Sequence, residues 1–334
     1  MASTSTTKKE IASELLPLIR VYKDGTVERL WGSPYVPPCP HDPQTNVSSK
    51  DINISHNPTI SARLFLPQNQ IYQKPQHLLP ILVYFHGGGF CFESAFSSDH
   101  HRLLNRLVSQ AQVLAVSVEY RLAPENPLPN CYQDCWDALQ WVSSHRTHKE
   151  LDADNTNKEP WLVNYGNFDK LYIGGDSAGG NIVHNVAMKA GVERLCGDVK
   201  ILGAFMSHPY FLGSKPIGSE PKGEDFEKWL PCKVWKFLYP SAPGGINNPM
   251  VNPVGPGAPS LAGLGCPRML VCVSSKDELS DRGVWYYELV KESGWRGEVE
   301  VFEVEGEEHA FHILSEAETE NVKIMIKRLA SFLV

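Results

Sequence analysis

From Ser49 onward, short apolar runs alternate with segments of helical period, an order that fits a mostly parallel sheet covered by helices on both faces. DINIS (51–55) and ISARLFLP (60–67) predict a hairpin pair of strands. LLPILVYF (78–85) lacks the polar alternation of a half-exposed strand, so it predicts a strand buried on both faces. SDHHRLLNRLVSQA (98–111) predicts a helix with Ser98 or Asp99 as N-cap. VLAVSVEY (113–120) is the next strand, and YQDCWDALQWVSSHR (132–146) has apolar residues at helical spacing. KLYIGG (170–175), KILGAFMSHPY (200–210), RMLVCVSS (268–275) and VEVFEVEG (299–306) predict further strands. AGGNIVHNVAMKAG (178–191), stopped by Gly191, and the closing ETENVKIMIKRLASFL predict helices.

Two stretches break the alternation. The first is the N-terminal forty-odd residues, including SPYVPPCPHDP (33–43), where each proline removes a donor and restricts its neighbour. The second runs from Phe211 to Tyr239 and holds Phe226, Trp229, Trp235 and Phe237. An insertion after a central strand lies over the strand ends, where ligands of open α/β sheets bind. The chain therefore reads as one domain over residues 1–334, with cap elements at approximately 1–45 and 209–242. Packing the insertion onto the sheet accounts for most of its aromatics.

Gly175-Asp176-Ser177-Ala178-Gly179 is a G-x-S-x-G between an apolar run and a helical segment. Alone the pattern is common. In this setting it predicts a tight, strained strand-to-helix turn that presents a serine hydroxyl and demands small neighbours. Gly174, Gly175, Ala178, Gly179 and Gly180 supply them, and the following helix directs its N-terminal partial positive charge at the same place. His86-Gly87-Gly88-Gly89-Phe90 directly follows a buried strand. Acyl transfer builds negative charge on a carbonyl oxygen, and a glycine run lets bare backbone amides approach it. The expected oxyanion donors are the N–H groups of Gly87 and Gly88, with Ala178 as the third.

A serine nucleophile needs a base and a residue that orients the base. Asp277 and Asp281 both follow the strand RMLVCVSS, and His309 and His312 both follow VEVFEVEG. Asp277 and His309 lie nearer their strand ends, where a loop can aim them at Ser177. Asp281 reads as a helix-capping or solvated carboxylate, and His312 as starting or flanking a helix. His86 precedes the nucleophile, whereas the base follows it in this arrangement, so His86 reads as structural. The other histidines, His184 included, read as surface or packing residues. Adjacent His100 and His101 point apart on a helix.

Composition narrows the function classes. The net charge of −7 leaves no basic surplus for nucleic acid or an anionic bilayer. The N-terminus has no apolar signal region, and no run approaches a membrane span. The eight cysteines form no CxxC pair, and reduced thiols in a cytoplasmic protein are expected. The sequons at Asn46 and Asn53 are then expected to stay unmodified. No zinc spacing, Walker loop or dinucleotide fingerprint is present, Asp176 carries no sign of being a metal ligand, and neither metal nor cofactor is expected. The expected partner is a small-molecule ester, and the sequence leaves the oligomeric state open.

HGGGF, YRLAPE (120–125), GDSAGGN (175–181), KDELSDR and EEHAFH together resemble the hormone-sensitive-lipase branch of the α/β-hydrolases. VYKDGTVERL (21–30), SPYVPP (33–38), DCWDALQWV (134–142) and SAPGGINNPMVNP (241–253) are similar to plant class-I carboxylesterases. The resemblance runs over nearly the whole chain. It implies an eight-stranded sheet, a cap from the N-terminus and the insertion, and carboxylic ester hydrolysis by Ser177, Asp277 and His309. The same group includes gibberellin receptors without the catalytic histidine, hydroxyisoflavanone dehydratases, some with threonine at the place of Ser177, and alkaloid cyclases with altered triads. Retention of His309 argues against a receptor. An intact triad leaves elimination open as a second use of the site.

Overall fold

The computed structural model describes residues 9–69, 78–146 and 158–334. Its main sheet has eight strands: β4 (Val47–His56), β5 (Thr59–Pro67), β6 (Leu79–Phe85), β7 (Leu114–Glu119), β8 (Gly166–Asp176), β9 (Ile201–Ser207), β10 (Arg268–Ser274) and β11 (Glu298–Val304). They lie in the order β11-β10-β9-β8-β6-β7-β5-β4. The five pairings among β6 to β11 are parallel, and β5 pairs antiparallel with both β4 and β7.

The continuous apolar runs are explained by burial on both sides. Ile81, Val83 and Phe85 enter one core, while Leu82 and Tyr84 enter the other. Met269, Val271 and Val273 divide from Leu270 and Cys272 in the same way. Successive side chains point to opposite faces, so the inner positions of these strands are apolar on both sides.

Helices α1 (Ser98–Ala111), α2 (Asn130–Ser144), α3 (Pro160–Tyr165) and α4 (Ala178–Ala190) precede β9. The N-cap of α1 is Ser97 rather than Ser98 or Asp99. Its hydroxyl is engaged by Glu93 and the Ser94 carbonyl, while Asp99 pairs with Arg102 at 2.8 Å within the first turn. The later helices are α5 (Glu224–Lys228), α6 (Leu230–Leu238), α7 (Ser280–Glu292), α8 (Phe311–Leu314) and α9 (Glu320–Phe332). Among the described residues, no helix is long and apolar enough to cross a membrane. All eight cysteines are free.

The N-terminal segment forms a separate antiparallel sheet, β1 (Ile11–Leu15), β2 (Ile19–Tyr22) and β3 (Val27–Arg29). Asp24-Gly25 turns the chain between β2 and β3, with Gly25 at φ +84°. β1 packs against α6 of the insertion. Phe211, Phe226, Trp229 and Trp235 are buried, as expected of aromatics that fasten the insertion down.

Three side-chain links bind the insertion to the segment that leads from β10 into α7. The Trp229 indole N–H donates to Glu278, the Ser219 hydroxyl and backbone N–H donate to Asp281, and Arg282 grips Glu220. The last pair is buried and bidentate, with Nε–Oε1 at 2.6 Å and Nη2–Oε2 at 2.8 Å. Asp281 is therefore not the capping residue of α7, which is Leu279; partly exposed, it holds the insertion through Ser219.

Candidate active site

Parallel pairing brings the loops after β6, β8, β9, β10 and β11 to one edge of the sheet. Phe85 is level with Gly175, Asp176 with Ser207, Ser207 with Cys272, and Ser274 with Val304. Residues 86–89, Ser177, His208, Asp277 and His309 consequently emerge as neighbours. Ser177 has φ +51° and ψ −115°, well outside the ordinary strand and helix regions. The turn is held by the Ser177 N–H on the Ser207 carbonyl at 2.8 Å. A Cβ on Gly179 would lie 2.0 Å from the Phe85 carbonyl oxygen, and one on Gly175 would lie 2.6 Å from Gly179. The glycines are thus required by the close approach of α4 to β6.

His309 Nε2 is 2.9 Å from Ser177 Oγ, and His309 Nδ1 is 2.9 Å from Asp277 Oδ2. The Asp277 carboxylate is buried; its Oδ1 accepts the Leu279 N–H at 2.9 Å and its Oδ2 faces a second ring, that of His208, at 3.0 Å. Burial pushes the Asp277 pKa up, but the His309 charge and the two imidazole hydrogen bonds outweigh it, and the group sits below the usual carboxylate range. For His309, burial lowers the pKa while the Asp277 charge and hydrogen bond raise it. The net direction is upward.

The glycine loop corrects one expected donor. The Gly87 N–H already donates to Asp176 Oδ1 at 2.9 Å, and a Cβ on Gly87 would lie 2.2 Å from Asp176 Oδ2. That amide is turned into the protein and is not free for a ligand. Among the described residues, no hydrogen bond engages the N–H groups of Gly88 and Gly89, whose φ values are +95° and +55°. The Ala178 N–H opens α4 and has no intrahelical acceptor. The available donors are therefore Gly88, Gly89 and Ala178.

Asp176 ties this loop to the nucleophile turn. Its Oδ1 accepts from the Tyr84 hydroxyl at 2.6 Å, from Gly87, and from His100 Nε2 at 3.2 Å. His100 Nδ1 lies 3.4 Å from Glu93. Burial lowers the His100 pKa, but the Asp176 charge and hydrogen bonds to both carboxylates carry it up to about 10, so the ring is a cation between two anions. His100 is thus a buried charge partner and not a surface residue, while its neighbour His101 points to Arg63, as the helix geometry demands. His86 donates from Nδ1 to the Gly87 carbonyl at 2.8 Å and stacks on Tyr120 at 4.2 Å, whose hydroxyl holds the His86 carbonyl. It has the structural placement expected of it.

His208 was not singled out by sequence. The run 200–210 reads as one strand, yet β9 ends at Ser207 and His208 takes φ +50°. The signal available was Pro209, which cannot donate to a sheet and closes the strand before it. His184 is buried and bonded to the Tyr286 hydroxyl at 2.9 Å; His312 lies in α8, buried beneath His208. Donor atoms of His208, Asp277 and His309 fall within 4.8 Å of one another, a spacing that could hold a cation. Here the facing ring nitrogens serve as hydrogen-bond donors to the carboxylate. A groove of about 1150 Å³, lined by Phe168, Ile201, Pro267 and Trp295, lies at the opposite ends of the strands.

A family model described as the alpha/beta hydrolase fold matches residues 82–313. The chain belongs to the α/β-hydrolase family. A second model, the carboxylesterase family, matches residues 33–125. This α/β-hydrolase is 58% identical over 334 residues to 2-hydroxyisoflavanone dehydratase of Glycyrrhiza echinata, covering 100% of this chain and 99% of the relative. It is 51% identical to Hydrolase 3 of Catharanthus roseus, over 97% of this chain and 98% of the relative. An esterase of Pyrobaculum calidifontis superposes with a TM-score of 0.67 at 26% identity, covering 85% of this chain and 84% of that one. Plant relatives and the eight-stranded sheet both fit the resemblance carried by the motifs. Esterase and hydrolase neighbours support hydrolase activity in this α/β-hydrolase.

Proposed function

We propose that this α/β-hydrolase cleaves carboxylic esters through an acyl-enzyme on Ser177. The reading is carried by the unbroken line from Ser177 Oγ through the His309 ring to Asp277, with two contacts of 2.9 Å. His309 Nε2 takes the serine proton as Oγ attacks the acyl carbon, and the Gly88, Gly89 and Ala178 amides receive the oxyanion. The protonated ring gives that proton to the leaving alcohol. Water, activated by the same nitrogen, then releases the acid. Asp277 holds Nδ1–H and stabilises the imidazolium. The substrate is a small ester met in the cytoplasm, and the proton transfers run through His309.

Labelling with an aryl phosphonate followed by peptide mass spectrometry tests the nucleophile. The adduct is expected on Ser177, and an adduct elsewhere or none at all overturns the assignment.

The acid limb of kcat/KM is set by His309, because the protonated ring cannot act as base. Asp277 raises its proton affinity, so activity is lost as pH falls through a midpoint above the ordinary imidazole value of about 6.5. A pH–rate profile with that midpoint below the ordinary value contradicts the geometry.

Gly88→Ala is expected to lower kcat by about 100-fold or more, since displacing one oxyanion donor has that effect. The added Cβ would lie 2.0 Å from the Phe92 carbonyl oxygen at a φ of +95°, so the loop must move. Activity within about threefold of wild type would remove Gly88 from the oxyanion site.

The 58% identity to a 2-hydroxyisoflavanone dehydratase favours a second reading. His309 can equally remove a proton next to a carbonyl while the same amides hold the enolate oxygen and a hydroxyl leaves as water. No covalent bond to Ser177 is needed for that elimination.

A further inference from the structure

We infer that His208 is a positioning residue for the acid and base, sharing Asp277 Oδ2 with His309 and fixing the carboxylate in one orientation. The inference rests on the triad reading above and adds a fourth side chain to it.

The proton on His208 can be placed from its neighbours. Ser274 Oγ lies 3.3 Å from His208 Nδ1, but its single proton goes to the Glu308 carbonyl at 3.0 Å. Ser274 therefore offers His208 only a lone pair, and Asp277 Oδ2 at 3.0 Å offers only negative charge. A bare Nδ1 would meet two acceptors, so Nδ1 carries the hydrogen. The ring itself is held. His309 lies 5.5 Å from it, His312 is stacked on it at 5.4 Å, and Phe311 meets it edge-on at 5.9 Å. The backbone at φ +50° is secured by the His208 N–H on the Cys272 carbonyl at 2.7 Å. A non-glycine residue held in this region at a strand end beside the triad is a strained position that the surroundings determine.

The arrangement has a chemical consequence. Asp277 receives three N–H donors, two of them on the oxygen that serves His309. The carboxylate cannot rotate, and its negative charge is divided between two rings. The ionisable groups facing His208 are Asp277 from the loop after β10, His309 from the loop after β11, His312 from α8, and Asp176 from the end of β8; Glu278 faces His309. Burial, with the neighbouring His309 charge, keeps His208 neutral against the pull of Asp277, so His309 alone carries the proton that moves. Without His208, the whole charge of Oδ2 faces His309 and favours its protonated form.

The test uses the full chain with ¹⁵N-labelled histidine rings, together with His208→Ala and His208→Asn. Asparagine keeps an N–H donor and tolerates positive φ. In the wild type, the His208 ring is expected as the neutral Nδ1–H tautomer across the range in which His309 titrates. His208→Ala is expected to lower kcat for a small aryl ester by about 10- to 100-fold, the loss typical of one hydrogen bond to a charged group. Its KM should change by less than about threefold, and its acid limb should move up by about half to one pH unit. His208→Asn is expected to restore both kcat and the limb.

An Nε2–H tautomer at His208 overturns the inference, as does a His208→Ala profile superimposable on the wild type. His208→Asn as slow as His208→Ala, with wild-type melting, also overturns it. Should His208→Ala not fold, the tautomer and the asparagine variant decide. Failure of the esterase reading shows separately as absence of phosphonate on Ser177, since the ring tautomer is read without turnover.

Discussion

Ser177→Ala is expected to lower aryl ester hydrolysis by about 10⁵- to 10⁶-fold, the scale on which loss of a serine nucleophile acts when base and oxyanion donors remain. At about 1.4 kcal/mol per decade, this is roughly 7–8 kcal/mol of transition-state stabilisation. The backbone should be undisturbed. Alanine meets the same strain at φ +51°, and the anchoring bond from the residue 177 N–H to Ser207 does not involve the side chain.

The same variant separates the two proposed uses of the site. Elimination needs His309 and the amides but no bond to Oγ, so dehydration of a 2-hydroxyisoflavanone would survive within about tenfold. His309→Ala would abolish both. Steady-state kinetics on the two variants, with each substrate, give the answer in one set of assays. Ester hydrolysis by Ser177→Ala within tenfold of wild type would sink the acyl-enzyme mechanism.

Glu220→Ala is expected to destabilise the fold by about 3–5 kcal/mol, because it leaves the Arg282 guanidinium buried and unpaired. Arg282 is 2% exposed; Gly213 and Lys215 carbonyls accept from it but do not neutralise it. The penalty comes from the orphaned charge and not from the strength of the pair. Accordingly, Glu220→Ala combined with Arg282→Met should be less destabilised than Glu220→Ala alone. Denaturant unfolding with both variants measures this, and a single-variant loss below about 1 kcal/mol would show that Arg282 finds water when Glu220 is removed.

How far the sequence could be read follows from where each signal resides. The central strands of the main sheet were legible because burial on both faces writes an apolar run into them, whereas the edge strands β4 and β11 carry exposed polar residues between apolar ones. Ser177, Asp277 and His309 were legible because each follows the end of a strand, and the structure brings the three together. Asp281 lies close to Asp277 in sequence and His312 close to His309, yet one binds Ser219 and the other is buried beneath His208.

What escaped was contact between distant segments. Nothing local to HGGG says that Asp176, eighty-nine positions away, occupies the Gly87 amide. The expected donor pair therefore shifts by one residue, to Gly88 and Gly89. His208 was hidden because it directly follows an apolar run in sequence, and only Pro209 marks the end. The charge of His100 was hidden for the same reason, since its two carboxylate partners come from different parts of the chain.

The links between the insertion and the acid loop bear on how such a chain can change by descent. Ser177 and the glycine loop are fastened through Asp176 to strands and to α1, while Trp229, Ser219 and Glu220 of the insertion reach Glu278, Asp281 and Arg282 beside Asp277. Substitutions accumulating in the insertion are therefore felt directly by the loop that carries the acid. A change in this segment thus has a route to proton transfer through three side chains, each one contact away from the loop that carries Asp277.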